Sequence, residues 1–202
     1  LNGVGMFLLP ALTFASLVSD SPYQYLNVDR KLNVRLIIIS VVLAVLSLPV
    51  INYTSAINLL VDLPDWLLEE ESKREELITM FLEQKSLWIN LLLLAVIPAF
   101  SEEFFFRGIV QKLLNKTFKG KHHLAVILTA LMFSAMHIQF AGFLPRFFMG
   151  LVLGYLYVYS RSLWPSIILH FFNNAISVVL ATLIFSDESY ASLEEIGTTI
   201  DV

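Results

Sequence analysis

The sequence predicts an all-α fold: a polytopic transmembrane bundle of about six helices, with one further amphipathic helix at the membrane interface. Composition points there first, because 57% of the residues are hydrophobic, 15% are charged and mean hydropathy is +0.74. Soluble domains carry about 25% charged residues. Distribution is the second observation: no Asp, Glu, Lys or Arg occurs in 1–19, 36–61, 86–101, 122–145, 147–160 or 162–186. Crossing a bilayer takes roughly 20 mostly apolar residues per helix, and a soluble protein with one buried helix would not show six such runs in succession. The third observation is a charge bias in the loops between those runs.

Taken in order, the membrane helices are expected at about 4–19, 34–52, 87–114, 124–140, 145–160 and 164–185. Pro49, Pro98 and Pro165 fall in or at the edge of these segments, which neighbouring helices tolerate by satisfying the freed backbone groups. Residues 64–84 are different: Trp66, Leu67, Leu68, Leu77, Ile78, Phe81 and Leu82 alternate with Glu69–Glu71 and Glu75–Glu76. That mixture suits an amphipathic helix lying at the interface or capping the bundle. Gly150 and Gly154 form a G-x-x-x-G on the fifth helix, a mark of close helix packing. With no internal repeat or low-complexity tract, 1–202 reads as a single integral membrane domain.

Orientation follows from Lys and Arg near helix ends. Arg30, Lys31 and Arg35, then Lys112, Lys116, Lys119 and Lys121, then Arg161 fall on one side, which is expected to be cytoplasmic. The other side receives 62–85, with eight acidic and three basic residues, and an acidic tail. Leu1 then lies outside, so one further helix upstream would give a cytoplasmic N-terminus. The expected location is a membrane, with the bilayer, and not nucleic acid, as the expected partner. Zero Cys removes disulfides, thiolate metal sites and cysteine nucleophiles, leaving His, Glu and Asp as the available chemistry.

Three polar constellations interrupt the apolar helices: Glu102-Glu103-x-x-x-Arg107, Phe133-x-x-x-His137 and His170-x-x-x-Asn174. An ionisable group at bilayer depth costs about 2.5–3.5 kcal/mol on insertion scales, so residues kept there are candidates for function. Helical spacing lets Glu103 reach Arg107, while Glu102 points about 100° away and stays free. At about 1.5 Å per residue, all three groups are expected around one cavity in the half of the membrane next to 112–121.

The chemistry they suggest is addition of water to a carbonyl. Burial in a low-dielectric cavity raises a carboxyl's pKa towards neutrality, which suits a general base. A histidine can share the water's proton or bind a metal, and a second histidine with an asparagine can donate to an oxyanion. Two His and a Glu would also suffice for zinc with an open position, although H-E-x-x-H is absent, so the metal question stays open. Each residue has a plainer reading: an ion pair for Glu103 and Arg107, core histidines at 137 and 170, interhelical polar glue at Asn174. Arg146 reads as a snorkelling anchor or a contact for a substrate carboxylate, and His122 and His123 as interfacial.

In that order and on three separate helices, the series resembles the CPBP family of intramembrane proteases, which includes the type II CAAX prenyl endopeptidases. The resemblance covers about 86–185 and extends to Phe106-Arg107-Gly108 and Gly142-Phe143-Leu144-Pro145-Arg146. It implies that Glu102 activates water with His137 assisting, that Glu103 and Arg107 support and position it, and that His170 and Asn174 stabilise the oxyanion. It also implies either zinc or another divalent metal, with Glu102, His137 and His170 as ligands, or a metal-free glutamate mechanism, together with a membrane-associated or hydrophobic protein substrate and a bacterial inner (cytoplasmic) membrane as the location. The alternative is a non-catalytic relative that serves as an assembly or partner subunit of a larger membrane complex, docking through 64–84 and the tail 186–202.

Overall fold

The computed structural model describes residues 3–84 and 86–186. Among these residues the structure is all-helical, with eight helices: α1 (Val4–Val18), α2 (Pro22–Tyr25), α3 (Val34–Asn58), α4 (Asp65–Gln84), α5 (Leu87–Thr117), α6 (His122–Ala135), α7 (Phe143–Ser160) and α8 (Trp164–Ser186). The acidic tail beyond 186, expected as a docking surface, lies outside the described residues.

Four helices, α3, α5, α7 and α8, are long and apolar enough to cross a membrane, and the chain is a multi-pass membrane protein. The expected first and fourth spans are shorter, at 15 residues in Val4–Val18 and 14 in His122–Ala135. At about 1.5 Å per residue neither covers the roughly 30 Å hydrocarbon core. The fourth ends at Ala135 rather than near 140 because Ile138 takes a left-handed backbone (φ 49°) and the following turn is held by partners from α3 and α4. Residues 64–84 form the expected helix, α4. Its apolar Trp66, Leu68 and Leu77 are exposed while Glu71 is buried.

α3 packs on α7 and α8 through small residues: Ala44 is fully buried and clusters with Met149, Leu153 and Leu169. α6 and α7 approach more closely still. A Cβ added at Gly150 would lie 3.0 Å from the Cα and Cβ of Ala130, and one at Gly154 2.9 Å from Val126 Cγ1. That closeness exposes the two glycine carbonyls to α5, where Arg107 Nη2 donates to Gly150 O and Gln111 Nε2 to Gly154 O, both at 3.0 Å. Two side chains one turn apart thus fasten two carbonyls one turn apart.

α5 is not a uniform α-helix. Two π-helical stretches, Leu92–Val96 and Phe106–Gln111, flank its Ile97–Phe105 segment. Single π turns inside α-helices are uncommon and often fall at functional sites. Here the second one begins three residues after Glu103.

At the end of the bundle carrying Lys112–Lys121, the α2–α3 connection is tied to α7 and α8. Asn27 Nδ2 donates to the Tyr157 hydroxyl at 2.9 Å, and Trp164 Nε1 to Val28 O at 2.9 Å. The opposite end carries α4 and the 136–142 turn.

Candidate active site

Glu103 and Arg107 meet as their spacing requires. Arg107 Nη1 donates to Glu103 Oε1 at 2.8 Å, and both side chains are fully buried. The guanidinium carbon lies 4.7 Å from the centre of the Phe133 ring, a cation–π contact that offsets part of its desolvation. Phe133 is therefore more than core filling, since its ring also meets His137 edge-on at 5.1 Å and His170 at 5.8 Å between centroids. The aromatic of the F-x-x-x-H pair spaces the other motif groups.

Glu103 has a second partner that spacing alone does not reveal. His170 Nδ1 sits 2.8 Å from the same Oε1, so one carboxylate oxygen orients both a guanidinium and an imidazole. Holding Nδ1 turns Nε2 of His170 towards the neighbouring carboxylate, where it lies 3.9 Å from Glu102 Oε2. On the other side, His137 Nδ1 engages Phe133 O at 2.7 Å and its Nε2 lies 3.8 Å from the same Glu102 oxygen. Glu102 Oε2 is buried and has no hydrogen-bond partner among the described residues. Two imidazole nitrogens thus face one unengaged carboxylate oxygen.

These groups line a cavity of about 500 Å³ with Asn173, Asn174 and Arg146, a size typical of small-ligand and peptide sites. Asn174 stands on its wall, and Asn173 Nδ2 contacts Asn174 Oδ1 at 3.5 Å. Arg146 is held against Gln139, Nη1 donating to Oε1 at 2.9 Å and Nη2 to the backbone carbonyl, which aims it into the cavity rather than out to an interface. His122 and His123 stay away, at the basic end.

The end of the fourth expected helix differs from expectation. Because α6 stops at Ala135, His137 sits on the 136–142 turn, at the end of the bundle carrying α4 and opposite Lys112–Lys121. Ile78 of α4 lines the same cavity. His170 follows the start of α8 at Trp164 by six residues, about 9 Å, so the cavity reaches from this turn back towards the basic end of the bundle.

The turn carrying His137 is clamped by residues that sequence reading passed over. Glu71 of α4 accepts from Phe140 N at 2.6 Å and Ala141 N at 2.9 Å. Asn58, at the end of α3, donates to Phe140 O at 2.5 Å and accepts from Leu144 N at 3.0 Å. Glu71 lies within a run of three glutamates on a charged helix, and only its 6% exposure separates it from its solvated neighbours. Glu71→Ala would leave two backbone N–H groups without their acceptor, at about 1–3 kcal/mol, and loosen the turn under His137. Hydrogen exchange in detergent is expected to rise over 136–144 in this variant and to stay unchanged over α7.

Zinc with nitrogen and oxygen ligands at about 2.0–2.2 Å sets those ligands roughly 3.4 Å apart in a tetrahedral shell. The trio around Glu102 Oε2 stands wider, at 3.8 and 3.9 Å. Among the described residues, no group of three or more His, Cys, Asp or Glu side chains is gathered as a metal site.

Comparison with known families gives one match, spanning all three constellations. Residues 84–176 match the family model described as type II CAAX prenyl endopeptidase Rce1-like. Over this segment the chain is similar to the CPBP/CAAX proteases. The Rce1-like segment runs from the end of α4 to the middle of α8, so Glu102, Arg107, His137, His170 and Asn174 all fall within it, while Glu71 and Asn58 lie outside. No curated protein and no solved structure matches the chain.

Proposed function

We propose that this protein is an intramembrane endopeptidase of the CAAX-protease type, in which Glu102 is the general base that activates water. The observation that carries the reading is the convergence of His137 Nε2 and His170 Nε2, at 3.8 and 3.9 Å, on a buried Glu102 oxygen with no other partner. Separations of that length suit one bridging water better than direct contact. Glu102 takes a proton from that water as its oxygen attacks the scissile carbonyl, and the tetrahedral intermediate collapses as the proton passes to the leaving amine. His137 shares and steers the water's proton. Asn174 donates to the oxyanion, and His170, whose Nδ1–H is taken by Glu103, donates from Nε2 as an imidazolium, with Glu103 and Arg107 fixing the ring.

A divalent metal would have Glu102, His137 and His170 as the only His, Asp or Glu side chains on this cavity's wall among the described residues. Since the three are set wider than a zinc shell, we assign the activation step to Glu102 alone. The substrate is a membrane-associated or hydrophobic polypeptide, and we place its entry on the α4 side of the bundle.

The test is cleavage of a membrane-peptide library by the full chain in nanodiscs. Turnover is expected to survive chelator and to be lost in Glu102→Ala. Loss on chelation with recovery on added zinc would move the activation step to a metal, and equal turnover by the Glu102 variant would remove the assignment altogether.

A further inference from the structure

A second cavity, of about 310 Å³, opens at the other end of the bundle where α5 ends, α6 begins and α7 ends. Its wall carries Arg30, Lys112, His122 and Arg161 and no acidic side chain. Asp29 lies within electrostatic reach of Lys112, and the Lys112 ammonium lies 4.7 Å from the centre of the Tyr25 ring. Three basic side chains, Arg30, Lys112 and Arg161, therefore face one hollow. This is a surplus of positive charge at a membrane helix end, and basic pockets between such helices bind anionic lipid headgroups.

Charge alone would accept any anion, but two further groups narrow the choice. Gln111 and Asn115 lie on the same wall, and their side-chain oxygens are buried without hydrogen-bond partners among the described residues. The orientation of Gln111 is fixed because its Nε2 is committed to Gly154 O at 3.0 Å, leaving Oε1 as a pure acceptor. Buried acceptors call for donors, since an unsatisfied one costs about 1–3 kcal/mol. A phosphate diester supplies none. A phosphate diester carrying free hydroxyls supplies both the anion and the donors, which describes the headgroup of phosphatidylglycerol. The surroundings favour a lipid over a soluble ester. From the His122 end of α6, Leu124, Ile127 and Leu131 follow at helical spacing along one face, all exposed at 37–40%, as an acyl chain would require.

We propose that this cavity binds the headgroup of an anionic, hydroxyl-bearing phospholipid of the phosphatidylglycerol class, with the cations on the phosphate and Gln111 and Asn115 on the glycerol hydroxyls. The site is separate from the Glu102 cavity, and its test needs no substrate.

The full chain, purified in detergent, is titrated with dioleoyl phosphatidylglycerol, phosphatidic acid, phosphatidylcholine, glycerophosphoglycerol and inorganic phosphate, with bound lipid read by native mass spectrometry. Phosphatidylglycerol is expected to bind in preference to the other two lipids. Arg30→Gln with Arg161→Gln, both exposed positions, is expected to weaken it about 25-fold, at about 1 kcal/mol or fivefold per charge. Asn115→Ala is expected to bring phosphatidylglycerol down to the level of phosphatidic acid. Equal binding of phosphatidylcholine, or an unchanged affinity in the double variant with its melting temperature intact, would overturn the site. Competition by inorganic phosphate or glycerophosphoglycerol as strong as by the whole lipid would overturn the lipid and leave a soluble-ester site.

Discussion

Replacing Glu102 by Gln is expected to lower kcat by about 10²–10⁴-fold, the usual contribution of a positioned general base, while leaving the melting temperature in detergent within about 1 °C of the parent. Gln keeps the size of the side chain and removes its basicity. The fold does not lean on this carboxylate, whose Oε2 has no hydrogen-bond partner among the described residues. The contrast is with Glu103, one residue on, which holds both Arg107 and His170 through one oxygen. Glu103→Gln is expected to lose stability and activity together, whereas Glu102→Gln loses activity alone. Equal thermal loss in the two variants would show that Glu102 is part of the scaffold.

The second large effect concerns Arg107. Removing one member of a fully buried ion pair costs about 3–5 kcal/mol because the other charge is left behind without compensation. Arg107→Ala goes further, because the same side chain donates to Gly150 O and stacks over Phe133, so α5 loses its fastening to α7 along with its counter-charge. The expected outcome is a chain that fails to give a monodisperse detergent-solubilised peak. Arg107→Lys keeps the charge but lacks the planar fork needed to reach Glu103 and Gly150 at once, and is expected to fold with a lowered melting temperature. A variant with both Glu103→Ala and Arg107→Ala is expected to be less destabilised than the sum of the singles, a coupling that thermal melts of all four proteins measure. Additive losses would mean that the pair is not energetically linked.

The sequence made the Glu103–Arg107 pair legible because its geometry is local: four residues apart on a helix is enough to bring them together. The membrane class was legible for a similar reason, since charge-free runs need no tertiary knowledge. The G-x-x-x-G showed close packing, but not that its carbonyls would receive Arg107 and Gln111, because backbone acceptors leave no trace in residue type. The early end of α6 was hidden too. Residues 136–142 contain no Pro, and the turn depends on Asn58 and Glu71, 82 and 69 residues away from Phe140 in the chain. That turn sets the position of His137, which helical periodicity alone does not fix. His170 against Glu103 spans 67 residues and was likewise visible only as two polar residues, not as a pair.

The π-helical stretch at Phe106–Gln111 bears on how this family segment can vary over evolutionary time. A π turn holds one more residue than the α turn it replaces, so deleting a single residue there is absorbed by a return to regular winding, and the segments on either side keep their relative direction. The regular Ile97–Phe105 segment has no such slack: losing Phe104 or Phe105 would turn Glu102 and Glu103 by about 100° about the helix axis relative to Arg107 and Gln111. One-residue gaps in relatives are therefore expected at Phe106–Gln111 or in the 112–121 loop, not at Phe104 or Phe105.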